Sequence, residues 1–168
     1  MNFDYNMVRV NKILNHLDYK EYLFRLCERE RDRKFCCHNI SHFLDVARIA
    51  HIINLEMNLN INVELIYSAA LLHDVGKAVN DVENVGHSKL SARLAKPILY
   101  DCGFVDWEVE CILDAILNHN NEKLKDSTAN GLTSLLYRAD KLSRHCYMCD
   151  ASDLCYWSLD DKNLQLKI

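Results

Sequence analysis

The chain has little that breaks or turns a helix. Its 168 residues include four glycines and one proline. No stretch alternates apolar and polar residues for long, so a sheet-based fold lacks its usual signature. An apolar run of membrane-spanning length is missing, as is a signal peptide, which together point to a cytoplasmic address. Internal repeats, low-complexity tracts and interdomain linkers are absent too, leaving one domain. Nor is there an excess of positive charge. The formal net charge of −4 argues against a nucleic-acid-binding surface. The one basic run, Arg29 to Lys34, is interleaved with Glu28, Glu30 and Asp32 and reads as a solvated helix end.

What is present is apolar and helical. Hydrophobic residues make up 49% and charged residues 26%, enough for a core that needs no staples. Helical periodicity predicts an all-α fold with helices over 8–29, 40–57, 63–73, 87–101, 106–119 and 131–144. Breaks are expected at 58–60, at Gly103 and at 118–127, and Pro97 is expected to kink or split the fourth helix. Eight cysteines in a cytosolic chain suggest core residues or metal ligands in place of disulfides. Cys27, Cys102 and Cys111 read as small buried hydrophobes.

The most informative pair is His73-Asp74. It closes the apolar run Leu65 to Leu72 and leads into Val75-Gly76-Lys77. A charged pair is costly where the chain reads as buried, and a divalent metal would compensate it. Other helices carry ionisable residues on their apolar stripes. His42 lines up with Val46, Ile49 and Ile53; His87 with Leu90, Leu94 and Ile98; His119 with Val105, Val109, Ile112 and Ile116; Asp140 with Leu132 and Leu136. A single inward histidine is more often a hydrogen-bonded core residue than a ligand. The six residues His42, His73, Asp74, His87, His119 and Asp140 are explained together by one shared metal centre.

That order, with the contexts Ser41-His42-Phe43-Leu44-Asp45-Val46-Ala47, Ala70-Leu71-Leu72-His73-Asp74-Val75-Gly76-Lys77 and Ala139-Asp140-Lys141, resembles the HD-domain superfamily of metal-dependent phosphohydrolases. The resemblance implies an HD domain over 36–145, with an N-terminal helical segment over 1–35 packed on it. A cysteine-containing tail over 146–168 would belong to the same globular unit. The two extra histidines, His87 and His119, are similar to the binuclear branch, of which the HD-type diadenosine tetraphosphate hydrolases are the nearest pattern. By that resemblance His42, His73, Asp74 and Asp140 would hold one ion, and Asp74 would bridge to a second held by His87 and His119. Iron or manganese would suit these imidazole and carboxylate ligands.

The implied reaction is hydrolysis of a phosphoester or phosphoanhydride of a nucleotide or similar small phosphorylated molecule, with the metals lowering the pKa of a bridging water. Asp74 and Lys77 would be the catalytic residues, Lys77 meeting a substrate phosphate or the leaving oxygen. Asn120, Arg138 and Arg144 are candidates for further phosphate contacts; each arginine could equally be a solvated surface charge. Two other classes use the same residues: a diiron oxygenase, and a non-catalytic metal or redox sensor. The loops over 78–86 and 120–130 would set specificity and carry no readable motif, and either a monomer or a homodimer fits.

A second constellation follows the HD pattern. Cys146 and Cys149 form a CxxC pair, and Cys155 follows six residues later. With a fourth ligand from Cys36 or Cys37, or else His38 or His145, this set could hold a structural zinc; reduced thiols or an iron–sulfur cluster are the alternatives. His38, four residues before His42, reads as an ordinary residue ahead of its helix, although it could reach the metal site or substrate.

Overall fold

A computed structural model describes residues 6–125 and 129–166. Among the described residues there are seven α-helices and no strand: α1 (Val8–Asn15), α2 (Leu17–Arg29), α3 (Ile40–Glu56), α4 (Val63–Leu72), α5 (His87–Asp101), α6 (Asp106–Asn118) and α7 (Leu132–Leu142). Single 3-10 turns lie at Val75–Ala78, Glu122–Leu124, Cys146–Met148, Ser152–Leu154 and Leu159–Asp161. The architecture is all-α, as the apolar periodicity predicts. Of the second expected specificity loop, 126–128 lie outside the described residues.

The helix α4 forms the axis of the fold. Seven of its ten residues are buried, Leu65, Ile66, Ser68, Ala69, Ala70, Leu71 and Leu72, so it is apolar on almost every side. Such a helix must be surrounded. It packs against α1, α3, α5, α6 and α7. Each fully buried leucine or isoleucine contributes about 1.5–3 kcal/mol, so α4 and its ring of partners fix the fold. The polar end of this axis, His73-Asp74, is thereby held where the surrounding helices converge.

Two expectations need correction. The first predicted helix is two, because His16 is extended (φ −64, ψ 134) and its ring accepts a hydrogen bond from the Asp18 backbone N–H, capping α2. Pro97 does not split α5, which runs unbroken from His87 to Asp101. Pro97 and Arg93 are both exposed, so the Arg93 carbonyl that loses its helical partner faces water. The other helices end within two residues of the expected bounds.

A partly buried ionic cluster ties α1 to α4 and α6. The Arg9 guanidinium reaches Glu64 and Glu108, each at 2.6 Å, and lies 4.2 Å from the Phe104 ring centroid. Of the three cysteines expected in the core, Cys102 is buried and Cys111 partly so, whereas Cys27 is exposed, one residue past the inward Leu26.

Candidate metal centre

Each side chain of the centre is delivered by a helix end. The chain leaves α4 through His73 and Asp74 into a 3-10 turn, Val75–Ala78, which α2 and α5 flank. Gly86, in the left-handed region at φ 89, lets the backbone enter α5 so that His87 is its first residue. His119 caps the C-terminus of α6, Asp140 lies near the end of α7, and His42 sits in the first turn of α3.

These ends meet around Asp74, which is 2% exposed, and His73, which is fully buried. One Asp74 carboxylate oxygen lies 3.4 Å from His119 Nε2 and 3.5 Å from His87 Nε2. The other lies 3.3 Å from His73 Nε2, 3.4 Å from His38 Nε2 and 2.6 Å from Lys77 Nζ. Asp140 is 3.5 Å from His42 Nε2 and 3.7 Å from His73 Nε2. Three trios have ligand atoms all within 4.8 Å of one another: His42, His73 and Asp140; His73, Asp74 and His119; His38, His42 and Asp74.

Do these residues fit metal ions? The buried His42 Nε2, His73 Nε2 and Asp74 Oδ1 have no hydrogen-bond partner. Orphaned buried polar atoms cost free energy, and divalent ions held in this cluster would satisfy all three. The ring of His73 is fixed for this role, with Nδ1 donating to the Ala70 carbonyl at 2.7 Å, and His119 Nδ1 does the same to Ile116 at 2.6 Å. Each Nε2 is thereby turned toward the Asp74 carboxylate, and in the neutral ring it is the nitrogen that can ligate. The His87 side differs: the Asn120 amide nitrogen lies 2.6 Å from His87 Nε2 and 3.0 Å from His119 Nε2. An ion held by those two imidazoles requires that amide to turn away.

The charges around the centre are strongly coupled. Burial works against ionisation of Asp74, but His73 and Lys77 outweigh it and hold the carboxyl well below the usual range. Asp140 behaves likewise beside His73 and Lys141. Burial also works against a charged His73, yet Asp74 and Asp140 raise its pKa to about 9. Burial and the neighbouring His73 push His42 down to about 3, and burial pushes His87 down to about 4. In the metal-free chain at neutral pH, His42 and His87 are therefore neutral and ready to ligate, while His73 carries a proton that an ion must displace. Because the His73 pKa is raised to about 9, metal affinity is expected to climb about tenfold per pH unit below that value and level off above it. Competition with a chromophoric chelator across this range measures it; an affinity indifferent to pH would contradict the assignment.

Above the centre opens a cleft of about 690 Å³, lined by His38, His42, Asp74, Lys77, His87, Asn120, Asp140, Lys141 and Arg144 among others. His38, which the sequence pattern suggests is an ordinary residue ahead of its helix, stands in the site. Glu30 accepts from both its backbone N–H and its Nδ1, at 2.6 and 2.7 Å, so Nε2 is left as an acceptor facing Lys77 Nζ at 2.7 Å. Arg33 and Lys34, expected in a solvated helix end, also line the cleft. Arg144 lies 4.0 Å from the Trp157 ring centroid and donates to the Asp161 carbonyl. Arg138 is not among the lining residues; its guanidinium reaches the Met57 sulfur at 4.0 Å. It sits two residues from Asp140, and positions i and i+2 face different sides of a helix. Cys36, Cys146, Cys149 and Cys155 line a separate small cavity beside the cleft.

Residues 39–152 match the HD domain family. An uncharacterized protein of Clostridium beijerinckii is 44% identical over 160 residues, 95% of this chain and 99% of that protein. More distant relatives include ribonuclease Y of Mycoplasma mycoides, 29% identical over 133 residues, and of Lawsonia intracellularis, 34% identical over 104 residues. These matches take in 79% and 62% of this chain but only 24% and 18% of the two ribonucleases. No solved structure matches the chain.

Proposed function

Because the chain belongs to the HD-domain family, we propose that it is a metal-dependent phosphohydrolase of the binuclear branch. Its substrate on this reading is a nucleotide or a similar small phosphorylated molecule, cleaved at a phosphoester or phosphoanhydride bond. The observation that carries the proposal is the set of unpartnered buried atoms, His42 Nε2, His73 Nε2 and Asp74 Oδ1, at the floor of a cation-edged cleft. His42, His73, Asp74 and Asp140 would hold one ion, and Asp74, His87 and His119 the other, with iron or manganese suited to such donors. Bound there, the ions neutralise phosphate oxygens and lower the pKa of water so that a nucleophile is available near neutral pH.

The chain's own residues orient the substrate. Lys77 is held between Asp74 Oδ2 at 2.6 Å and His38 Nε2 at 2.7 Å. Two of its N–H bonds are engaged, so a third is free to meet a phosphate oxygen at the cleft floor. Lys141, 2.8 Å from Asp140, and Arg144 offset the remaining negative charge of an incoming phosphate. A cleft of about 690 Å³ has room for a nucleotide-sized ligand. The kinship with ribonuclease Y favours a second reading, in which the phosphodiester belongs to RNA; the cationic edge of the cleft, on a chain of net charge −4, is compatible with it.

The test is phosphate or nucleotide release from a panel of nucleoside phosphates, diadenosine tetraphosphate and a short RNA, using protein loaded with manganese or iron. Turnover of the small substrates but not RNA supports the first reading, and the reverse supports the second. A metal-loaded protein that turns over none of them overturns both. With a substrate in hand, Lys77→Met is expected to lower kcat/KM about 10²-fold at unchanged metal content, the loss usual for one charged donor at a reacting oxygen. An unchanged kcat/KM would remove Lys77 from the reaction.

A further inference from the structure

The cavity beside the cleft is lined by Phe35, Cys36, Cys146, Cys149, Ser152, Cys155, Trp157 and Lys162. Four of its eight lining residues are cysteines, drawn from three places in the chain. Cys36 lies in the segment before α3; Cys146 and Cys149 flank one 3-10 turn; Cys155 caps the next. All are free thiols. The cavity measures about 10 Å³, the room of a single small ion.

We propose that Cys36, Cys146, Cys149 and Cys155 form a four-thiolate site for one soft divalent cation, zinc by preference, which fastens the C-terminal tail to the segment ahead of α3. Zinc imposes no geometry of its own beyond the tetrahedron and accepts four thiolates in structural sites. The backbone around the CxxC pair is turned accordingly: Cys149 N–H donates to the Cys146 carbonyl, and Cys155 N–H to Ser152. The other candidate fourth ligands are committed elsewhere. Cys37 Sγ lies against the Phe35 and Arg33 carbonyls, His38 is held by Glu30, and His145 lies 3.8 Å from Asp45. Burial raises the Cys36 thiol pKa first of all, the neighbouring Cys146 and Cys149 raise it further, and Arg144 opposes them. A bound cation would replace those thiol protons.

The sulfurs stand wider apart than ligands gathered on one ion, since among the described residues no three of them fall within 4.8 Å of one another. The inward movement falls on single 3-10 turns of the tail, not on a helix. The consequence reaches the cleft, because Cys36, Cys149 and Trp157 line both cavities. The thiolate site would therefore set the outer wall of the substrate cleft while leaving the His/Asp centre chemically separate.

The test uses full-length protein purified with zinc under reducing conditions. Titration with an organomercurial, with released zinc read by a chromogenic chelator, should free about one equivalent per chain. Cobalt-substituted protein should show the intense near-ultraviolet sulfur-to-cobalt charge-transfer band that imidazole and carboxylate ligands do not produce. Cys149→Ser and Cys155→Ser should abolish the mercurial-releasable zinc, while Cys27→Ser, at an exposed position on α2, should retain it. His73→Ala should keep the thiolate-held zinc, which separates this site from the His/Asp centre. If the serine variants do not fold, the cobalt spectrum of the unaltered protein decides alone. No mercurial-releasable zinc, or no sulfur-to-cobalt band, overturns the proposal.

Discussion

Gly76→Ala is expected to destabilise the protein by about 3 kcal/mol or more and to lower Tm by roughly 6–12 °C. The reason is a close approach of backbones. A Cβ on Gly76 would lie 2.5 Å from Ser91 N and 2.8 Å from Ser91 Oγ, and closer still to the His87 carbonyl oxygen. Two of these are backbone atoms in α5, which cannot rotate aside as a side chain would. Gly76 N–H also donates to Ser91 Oγ at 2.9 Å, a bond that any displacement of α5 breaks. The damage reaches the His/Asp cluster, because His87 begins α5 and its carbonyl is the atom displaced. Gly131→Ala is the control: nothing lies within 4 Å of the methyl it would add, so the loss should stay under about 1 kcal/mol. Thermal melts of both variants measure the difference. A Gly76→Ala melt as mild as the control would show that α5 does not dock as tightly as the geometry requires.

The helices and the inward histidines and aspartates are legible in the sequence because both obey one period. An apolar stripe every three or four residues reveals a helix, and a histidine or aspartate on that stripe reveals a polar group aimed at the core. His42, His119 and Asp140 all declare themselves this way. His73-Asp74 is legible for a different reason: α4 is apolar all round, so a charged pair at its end has no solvated face to occupy. Arg9, Glu64 and Glu108 are not legible, since their pairing joins residues 55 and 99 positions apart.

His38, Arg33 and Lys34 are illegible for a related reason. They lie in irregular chain between α2 and α3, where no period applies. What places His38 is its pair of hydrogen bonds to Glu30, at the end of the preceding helix. The same two bonds leave its Nε2 facing Lys77, so one acidic residue outside the HD pattern orients a side chain over the centre. Asn120 is a parallel case. Its place beside His119 is visible in the sequence, but its reach to His87, 33 positions away, depends on how α5 meets α6. Arg138, two positions from Asp140 on the same helix, is not among the residues that line the cleft.

The largest expected loss of function comes from Asp74→Asn, which keeps the shape of the side chain and removes its charge. One carboxylate oxygen faces His87 and His119, and the other faces His73, His38 and Lys77. Its two oxygens thus face ligand groups of both proposed ions, so its loss weakens both. An amide there would present a neutral oxygen to one set and an N–H donor to the other, at a position that is almost fully buried. Removing one partner from a buried charge pair costs about 3–5 kcal/mol, which corresponds to about 10²–10⁴ in rate if it falls on the transition state. The loss should exceed that of Lys77→Met and should be accompanied by a fall in metal content, which Lys77→Met leaves unchanged. His73 offers a second readout: with Asp74 neutral, the first of the charges that raise its pKa to about 9 is gone, so its proton should leave at lower pH in the metal-free protein. Metal analysis, kcat/KM and the titration of the His73 ring by NMR test the three parts separately. An Asp74→Asn protein with full metal content and activity within a few fold of the parent would dismiss Asp74 as the shared ligand, whatever the substrate proves to be.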